Sequence, residues 1–394
     1  MKRYLARFAV LSAACLLISS APLAQDDSAA LIARIEAAQS PNRQGWDPFT
    51  LQQLMERFNV PGVSIAVIKD FKIHWAKTYG VADVVTKAPV TPETMFQAAS
   101  ISKPVTALAV MRAVQMGKLN LDEDVNHYLK SWKVPENEFT RGRPVTLRAL
   151  LSHTSGTGDG FGFPGYHPSA ERPTLVQILN GEKPSNVGKV FWERPPFTAI
   201  KYSGGGTVIV QLILTEVLGK PFHEIMRELV LDPIGMKNST FEQPLPAALD
   251  ANAARAHNGR GQEMDAKWHV YPEQAPAGLW TTPADLAKLV IEVQKALRGE
   301  SKILSRAAAQ EMTSPVGTGP FAVGFSIERR GEGWYFGHGG SNWGFQCNLV
   351  GHRLKGYGFV IMTNSDSGGR FGGEIEPRVA AAYNWDSLDK PVPR

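Results

Sequence analysis

A chain of 394 residues, 43% hydrophobic and 20% charged, can bury a sizeable core, and it carries no low-complexity tract or block of like charge. These values exclude a disordered or fibrous polypeptide. Residues 1–24 hold Lys2, Arg3 and Arg7 and no acid, so the formal charge of +5 shrinks to 39 basic against 37 acidic side chains beyond them, which gives no reason to expect nucleic acid as a partner.

The first element is a leader. A basic start, an apolar run from Phe8 to Ile18 and small residues to Ala24 read as a secretory signal peptide, with cleavage expected after Ala24. The run is shorter than the ~20 apolar residues a spanning helix needs. No stable membrane insertion is expected once it is removed, and the protein is expected to be secreted or periplasmic. Ser12-Ala13-Ala14 before Cys15 fit a lipid-attachment site poorly. Beyond the leader Cys347 is the single cysteine, so the fold is expected to stand without disulfides.

Residues 29–39 and 48–58 have amphipathic helical spacing. "GVSIAVIKDFKIHWAKTYG" (62–80) is rich in β-branched and aromatic residues and predicts two strands joined at Lys69-Asp70. A helix is expected from about Ser100 to Gln115. Residues 120–280 mix Pro and Gly turns with helices. "TPADLAKLVIEVQKAL" (282–297) predicts a helix capped by Thr282, with Pro283 in its first turn and Asp285 three residues after the cap. Strand-like runs follow at 321–330, 334–338, 345–353 and 357–363, then a helix near 372–384. Strands at both ends and helices between them predict an α/β (α+β) fold, in which an antiparallel sheet built from both chain ends is flanked by helices and carries an inserted, mostly helical region. The expected division is a sheet part at about 45–100 and 280–394 and a helical part at about 101–279, with the site in the cleft between.

"FQAASISKPV" (96–105) holds the first candidate chemistry. At i, i+3 on one helix, Ser100 and Lys103 share a face, and Ser102 does not. A serine hydroxyl needs a base to become a nucleophile, and a buried lysine amine can take its proton. The competing reading is a helix-capping serine beside a solvated lysine. "IKYSGGGTVIVQLI" (200–213) places Tyr202 before a Gly-rich turn and an apolar helix, and a tyrosine beside a lysine can shuttle protons. "YFGHGGSNWG" (335–344) is a strand running into glycines, where backbone can approach a ligand and a strand edge can offer an N–H to an oxyanion.

The ordered set Ser-x-x-Lys (100–103), Tyr-Ser (202–203) and His-x-Gly (338–340) resembles the penicillin-recognising serine hydrolases. The similar branch holds class C β-lactamases, D-alanyl-D-alanine carboxypeptidases and family VIII carboxylesterases. "VTLRALLSHTSG" (145–156), "LDPIGMKNSTF" (231–241) and "GLWTTPADLAKL" (278–289) extend the likeness, which covers roughly residues 45–385. It implies a β-lactamase/transpeptidase-like fold over residues 25–394. It also implies Ser100 as the acylated nucleophile, Lys103 as its proton partner and Tyr202 as the second acid/base group. The backbone N–H groups of Ser100 and Ser341 would form the oxyanion hole, and His338, Gly339 and Gly340 the substrate-binding wall. Two departures stand out. Where the family often has Tyr-x-Asn, this chain has Tyr202-Ser203-Gly204; where β-lactamases usually have Lys-Thr-Gly, it has His338-Gly339-Gly340. The first removes an amide that would hold a β-lactam or peptide, and the second replaces a fixed cation with a histidine that is mostly neutral at pH 7. Both weigh against an efficient β-lactamase.

The expectation is therefore an exported serine hydrolase acting on small acyl esters through an acyl-enzyme, with a D-amino-acid peptidase, a D-Ala-D-Ala carboxypeptidase or a weak β-lactamase as alternatives. A penicillin-binding sensor without turnover is the remoter reading, opposed by the presence of Ser100, Lys103 and Tyr202 together. The partner is a small ester, amide or peptide, and no metal or organic cofactor is implied. An α/β-hydrolase reading of "HGGS" lacks a G-x-S-x-G match, and its doubly wound parallel sheet conflicts with strands at both ends. The nine histidines show no ligand spacing, since "HEIMR" (223–227) lacks a second histidine. Gly204–Gly206 is not followed by Lys-Ser or Lys-Thr, so a phosphate loop is poorly supported. His153 in "LLSHTSG" is read as fixing a turn rather than acting as a base. "GFGFPGYHP" in loop 157–172 lines a cleft mouth or is plain surface, loop 182–199 carries no motif, and "NST" (238–240) matches a glycosylation acceptor.

Overall fold

The computed structural model describes residues 27–39, 45–160, 162–330 and 333–385, so the expected leader and Cys15 lie outside the described residues. Strand β1 (Gly62–Lys69) and strand β2 (Lys72–Gly80) form the first hairpin. Its turn is Asp70-Phe71, one residue beyond the expected Lys69-Asp70, and both residues take left-handed φ values of 52° and 60°. Positive φ at both central positions matches the right-handed twist of the flanking strands. Two short strands, β3 (Phe96–Gln97) and β4 (Trp280–Thr281), pair antiparallel beside the site. Strands β5 (Ser326–Arg330), β6 (Gly333–Asn342), β7 (Phe345–His352) and β8 (Gly358–Thr363) then run as a meander.

The large sheet has the order β2-β1-β8-β7-β6-β5, and every neighbouring pair is antiparallel. Strand β1 lies beside β8, so the sheet is made from both ends of the chain, as the strand pattern predicts. Both faces of β1 are buried, and its residues alternate between two cores. Val63, Ile65 and Val67 pack with Leu54, Phe58, Phe371 and Ile375 under the helices Leu51–Phe58 and Gly368–Ala382. Ala66 and Ile68 face the larger core with Leu286 and Val290 of the helix Pro283–Arg298. That helix starts at the predicted cap, where Thr282 Oγ1 accepts from Asp285 N at 3.3 Å.

The helix Ser102–Gln115 runs through the larger core and is apolar on nearly all sides, which fits a helix enclosed by protein. Val105, Leu108 and Val110 are fully buried, and each contributes ~1.5–3 kcal/mol by leaving water. Three elements differ from expectation. Strand β5 begins at Ser326 rather than 321, because the chain turns at Gly324 with φ 97°. The last helix begins at Gly368 rather than 372, and β6 continues through its glycines to Asn342. The reason at Gly340 is steric: a Cβ there would sit 2.3 Å from Ala98 O, so the strand can pass the Ser100 turn only without a side chain. Among the described residues no helix is long and apolar enough to cross a membrane.

Candidate active site

Ser100 sits in a single 3-10 turn, Ala99–Ile101, that feeds directly into the helix Ser102–Gln115. It does not cap that helix. Ala99 is held at φ 50°, a conformation that costs of order 1–3 kcal/mol and is overcome by the surrounding contacts. Those contacts are backbone and thiol: Ala98 N donates to Leu279 O at 2.8 Å, and Cys347 Sγ donates to Ala98 O at 3.0 Å. Cys347 is buried and unpaired, and burial pushes its thiol far above the ordinary range.

Lys103 is buried, one turn along the same face. Its Nζ donates to Ser100 Oγ at 3.1 Å and to Pro276 O at 3.1 Å. The solvated-lysine reading is thereby excluded. Ser102 faces away, fully buried, with its Oγ accepting from Leu279 N at 3.1 Å. The Tyr202 ring lies across Lys103, with Nζ 4.9 Å from the ring centroid.

Tyr202 is set by what precedes the helix Gly204–Leu218. Ser203 caps that helix, its Oγ accepting from Gly206 N at 2.8 Å and donating to Asp159 at 2.8 and 3.0 Å. Asp159 also accepts from Gly205 N at 3.1 Å, and burial raises its carboxyl above the usual value despite these bonds. The Tyr202 ring packs against His153 at 4.3 Å and lies 6.1 Å from both Phe321 and His338. His153 Nδ1 accepts from Ser203 N at 3.2 Å, so its proton is on the other nitrogen. Burial first, then the nearby Lys103 and His338, hold this imidazole well below its ordinary value, hence neutral. A histidine in this state fixes the turn, as the sequence reading has it.

His338 on β6 is buried, with Nδ1 2.6 Å from Gly339 O and Nε2 without a partner among the described residues. Burial and Lys103 pull it down to about 4, so it is neutral across the physiological range. Ser341 is exposed on the same strand, and its Oγ accepts from Gln346 Nε2 at 2.7 Å. Ser100, Tyr202, His338, Gly339, Gly340 and Ser341 together line one cavity of about 560 Å³. The size suits a small-molecule ligand. Among the described residues no group of three or more His, Cys, Asp or Glu is placed to hold a metal.

All the site residues expected from the sequence meet at this cavity, with Lys103 one bond behind Ser100. Asp159, Pro276, Phe321 and the Cys347–Ala98 contact were not foreseen. Asp159 lies in loop 157–172, where "GDG" carries no motif, and its partner is 44 residues away. Its role could be found only from tertiary contact.

Residues 50–384 match the family model described as Beta-lactamase. "Protein flp" of Staphylococcus aureus (strain MW2) is 26% identical over 325 residues, covering 79% of this chain. The chain spans only 61% of the length of that relative. "Penicillin-binding protein 4" of Amycolatopsis lactamdurans is 29% identical over 322 residues, 75% of this chain and 81% of the relative. Among solved structures, the D-amino acid amidase of Ochrobactrum anthropi SV3 superimposes with a TM-score of 0.65 at 24% identity, covering 85% of this chain and 97% of that one, a likeness of fold.

Proposed function

The chain belongs to the beta-lactamase family of serine hydrolases, and from that premise we propose that it hydrolyses small acyl esters through an acyl-enzyme on Ser100. The observation that carries the reading is the 3.1 Å contact between buried Lys103 Nζ and Ser100 Oγ at the wall of a ligand-sized cavity. In this reading Lys103 takes the hydroxyl proton as Oγ attacks the carbonyl carbon. The oxyanion that forms accepts from the backbone N–H groups of Ser100 and Ser341. Collapse breaks the ester C–O bond, and the leaving alkoxide takes a proton from Tyr202, while Lys103 keeps the proton it took from Ser100. The Tyr202 phenolate then removes a proton from water, whose oxygen attacks the acyl carbon; collapse breaks the bond to Ser100 Oγ, which takes its proton back from Lys103.

Esters are preferred over β-lactams and peptides for two local reasons. Gly204 offers no side chain at the position where the family often places an amide-holding asparagine. His338 is a neutral wall rather than a cation for a substrate carboxylate. A second reading, hydrolysis of D-amino-acid amides or peptides, is favoured by the side-chain amides of Gln346 and Asn348 on the cavity wall, which can hold a substrate amide from another side. The test is intact-mass spectrometry after brief exposure to a p-nitrophenyl ester, a penicillin and a D-Ala-D-Ala peptide, with released product followed and Ser100→Ala beside it. Fast ester turnover with slow penicillin adduct supports the esterase. A stable penicillin adduct with peptide turnover supports the peptidase. No adduct and no product with any probe overturns both.

A further inference from the structure

The cavity does not end at the catalytic groups. It continues past β6 and β7, over Ile361, to Gly368, Gly369, Gly372 and Gly373 in the first two turns of the last helix. Glycine weakens a helix relative to alanine, so four of them in six positions call for a reason. At Gly368 the reason is contact, since a Cβ would meet Thr363 Oγ1 at 1.7 Å. Elsewhere it is not. A Cβ on Gly372 would touch Ile361 Cγ2 at an ordinary 3.4 Å, one on Gly369 would meet only the end of Gln346 at 3.3 Å, and one on Gly373 would meet nothing within 4 Å. None of these three needs a positive φ. Side chains fit there, and their absence leaves the chamber open.

Among the described residues no lysine, arginine, aspartate or glutamate lines this chamber. Asn348 donates to Glu376 at 2.6 Å, and Glu376 is held by Arg330 at 2.6 Å, so the charges behind the wall are already paired. Arg370, on the same helix, lies 5.2 Å over the Phe58 ring in the other core. His338, the ionisable ring at the entrance, is buried and neutral, with Nε2 unpartnered. A carboxylate entering here would lose water and meet no cation among the lining residues, whereas an alkyl or aryl group would lose only unfavourable contact with water.

We propose that the glycine-floored chamber is a specificity pocket for an uncharged, apolar substituent of the substrate several carbons long, and that it selects against a carboxylate at that position. This rests on Ser100 being the nucleophile.

The test uses 4-nitrophenyl ethyl alkylphosphonates with methyl and hexyl chains and with a chain of hexyl length ending in a carboxylate. Each reacts when Ser100 Oγ forms a bond to phosphorus, the bond to nitrophenolate breaks and the hydroxyl proton passes to Lys103. The rate is read as nitrophenolate released and as adduct mass on the intact protein. The hexyl probe is expected to react at least tenfold faster than the methyl probe and at least tenfold faster than the carboxylate probe. In Gly372→Leu and Gly369→Leu the hexyl-to-methyl ratio should fall at least tenfold. If Gly372→Leu does not fold, Gly369→Leu decides, because that position is exposed at the chamber mouth. Equal hexyl and methyl rates, a faster carboxylate probe, or an unchanged ratio in the folded variants overturns the pocket while leaving Ser100 in place. No adduct on Ser100, or equal adduct on Ser100→Ala, overturns the nucleophile and the pocket together.

Discussion

His153 Nδ1 accepts the Ser203 backbone N–H at 3.2 Å, and the same imidazole lies 4.3 Å from the Tyr202 ring. One side chain therefore sets both the backbone and the ring of the proposed acid/base group. His153→Ala removes both supports. Displacing a reacting group by about 1 Å can lower the rate ~100-fold. We expect kcat to fall by that order and stability to fall by ~1–3 kcal/mol, because the buried Ser203 N–H loses its acceptor, and His153→Asn, which keeps an acceptor, to recover part of both losses. An unaltered kcat in His153→Ala would remove the positioning role.

Ser100 and Ser102 separate chemistry from structure. Ser100→Ala is expected to abolish hydrolysis without moving the unfolding midpoint. Ser102→Ala keeps most activity but leaves the buried Leu279 N–H without its acceptor, at a cost of ~1–3 kcal/mol. Paired urea titrations and ester assays distinguish the two. Equal loss of activity in both variants would contradict the helical-face argument.

Acid should destabilise the fold through its buried imidazoles. His338 titrates near 4 in the folded chain, against an ordinary 6.5 that applies when unfolded. Between those values the unfolded chain takes the proton and the folded chain does not. Stability is therefore full above pH 6.5 and falls toward pH 4, by ~3 kcal/mol for this group, with His153 adding in the same direction. Urea midpoints at pH 7.5 and 4.5 should show the fall, and His338→Gln should reduce it. An identical fall in His338→Gln would assign the effect to other groups.

Asp159 receives Ser203 Oγ and Gly205 N at the start of a helix whose dipole favours a negative charge there. Asp159→Ala should lower stability by ~1–2 kcal/mol, as the loss of a helix cap does, and reduce kcat by loosening Tyr202. Asp159→Asn, which keeps one acceptor oxygen, should lie between. A thermal melt and an ester assay on the three proteins check the order.

The elements most legible in the sequence were those whose signals are local. Thr282, Pro283 and Asp285 mark a helix start with side chains within one turn, and the helix lies within one residue of its predicted bounds. The β-branched and aromatic enrichment of 62–80 gave both strands, but the turn was misplaced by one residue because Phe71 takes a left-handed conformation that its residue type does not advertise. The glycines misled twice, in β6 and in the last helix. Local rules read them as breaks, whereas sheet pairing with β7 overrides the first and packing on the sheet overrides the second. At the site, Ser100 and Lys103 were legible because a separation of three residues puts them on one face of the 3-10 turn and the helix it feeds. Asp159 and Pro276 were not, since each reaches its partner across a long stretch of chain, the Pro276 carbonyl lying 173 positions from Lys103.

The pairing of β1 with β8 also makes this part of the sheet wait for distant sequence to be made. Val63 lies opposite Thr363, so this edge of the first hairpin has no partner until the meander has been made. At 5–20 residues per second, the ~300 intervening residues take roughly 15–60 s to emerge from a ribosome. Through that interval an apolar strand waits with one edge open, and such edges pair with other chains. The nascent polypeptide is thus exposed to aggregation at β1, and a chain stopped before residue 358 would carry that hazard permanently.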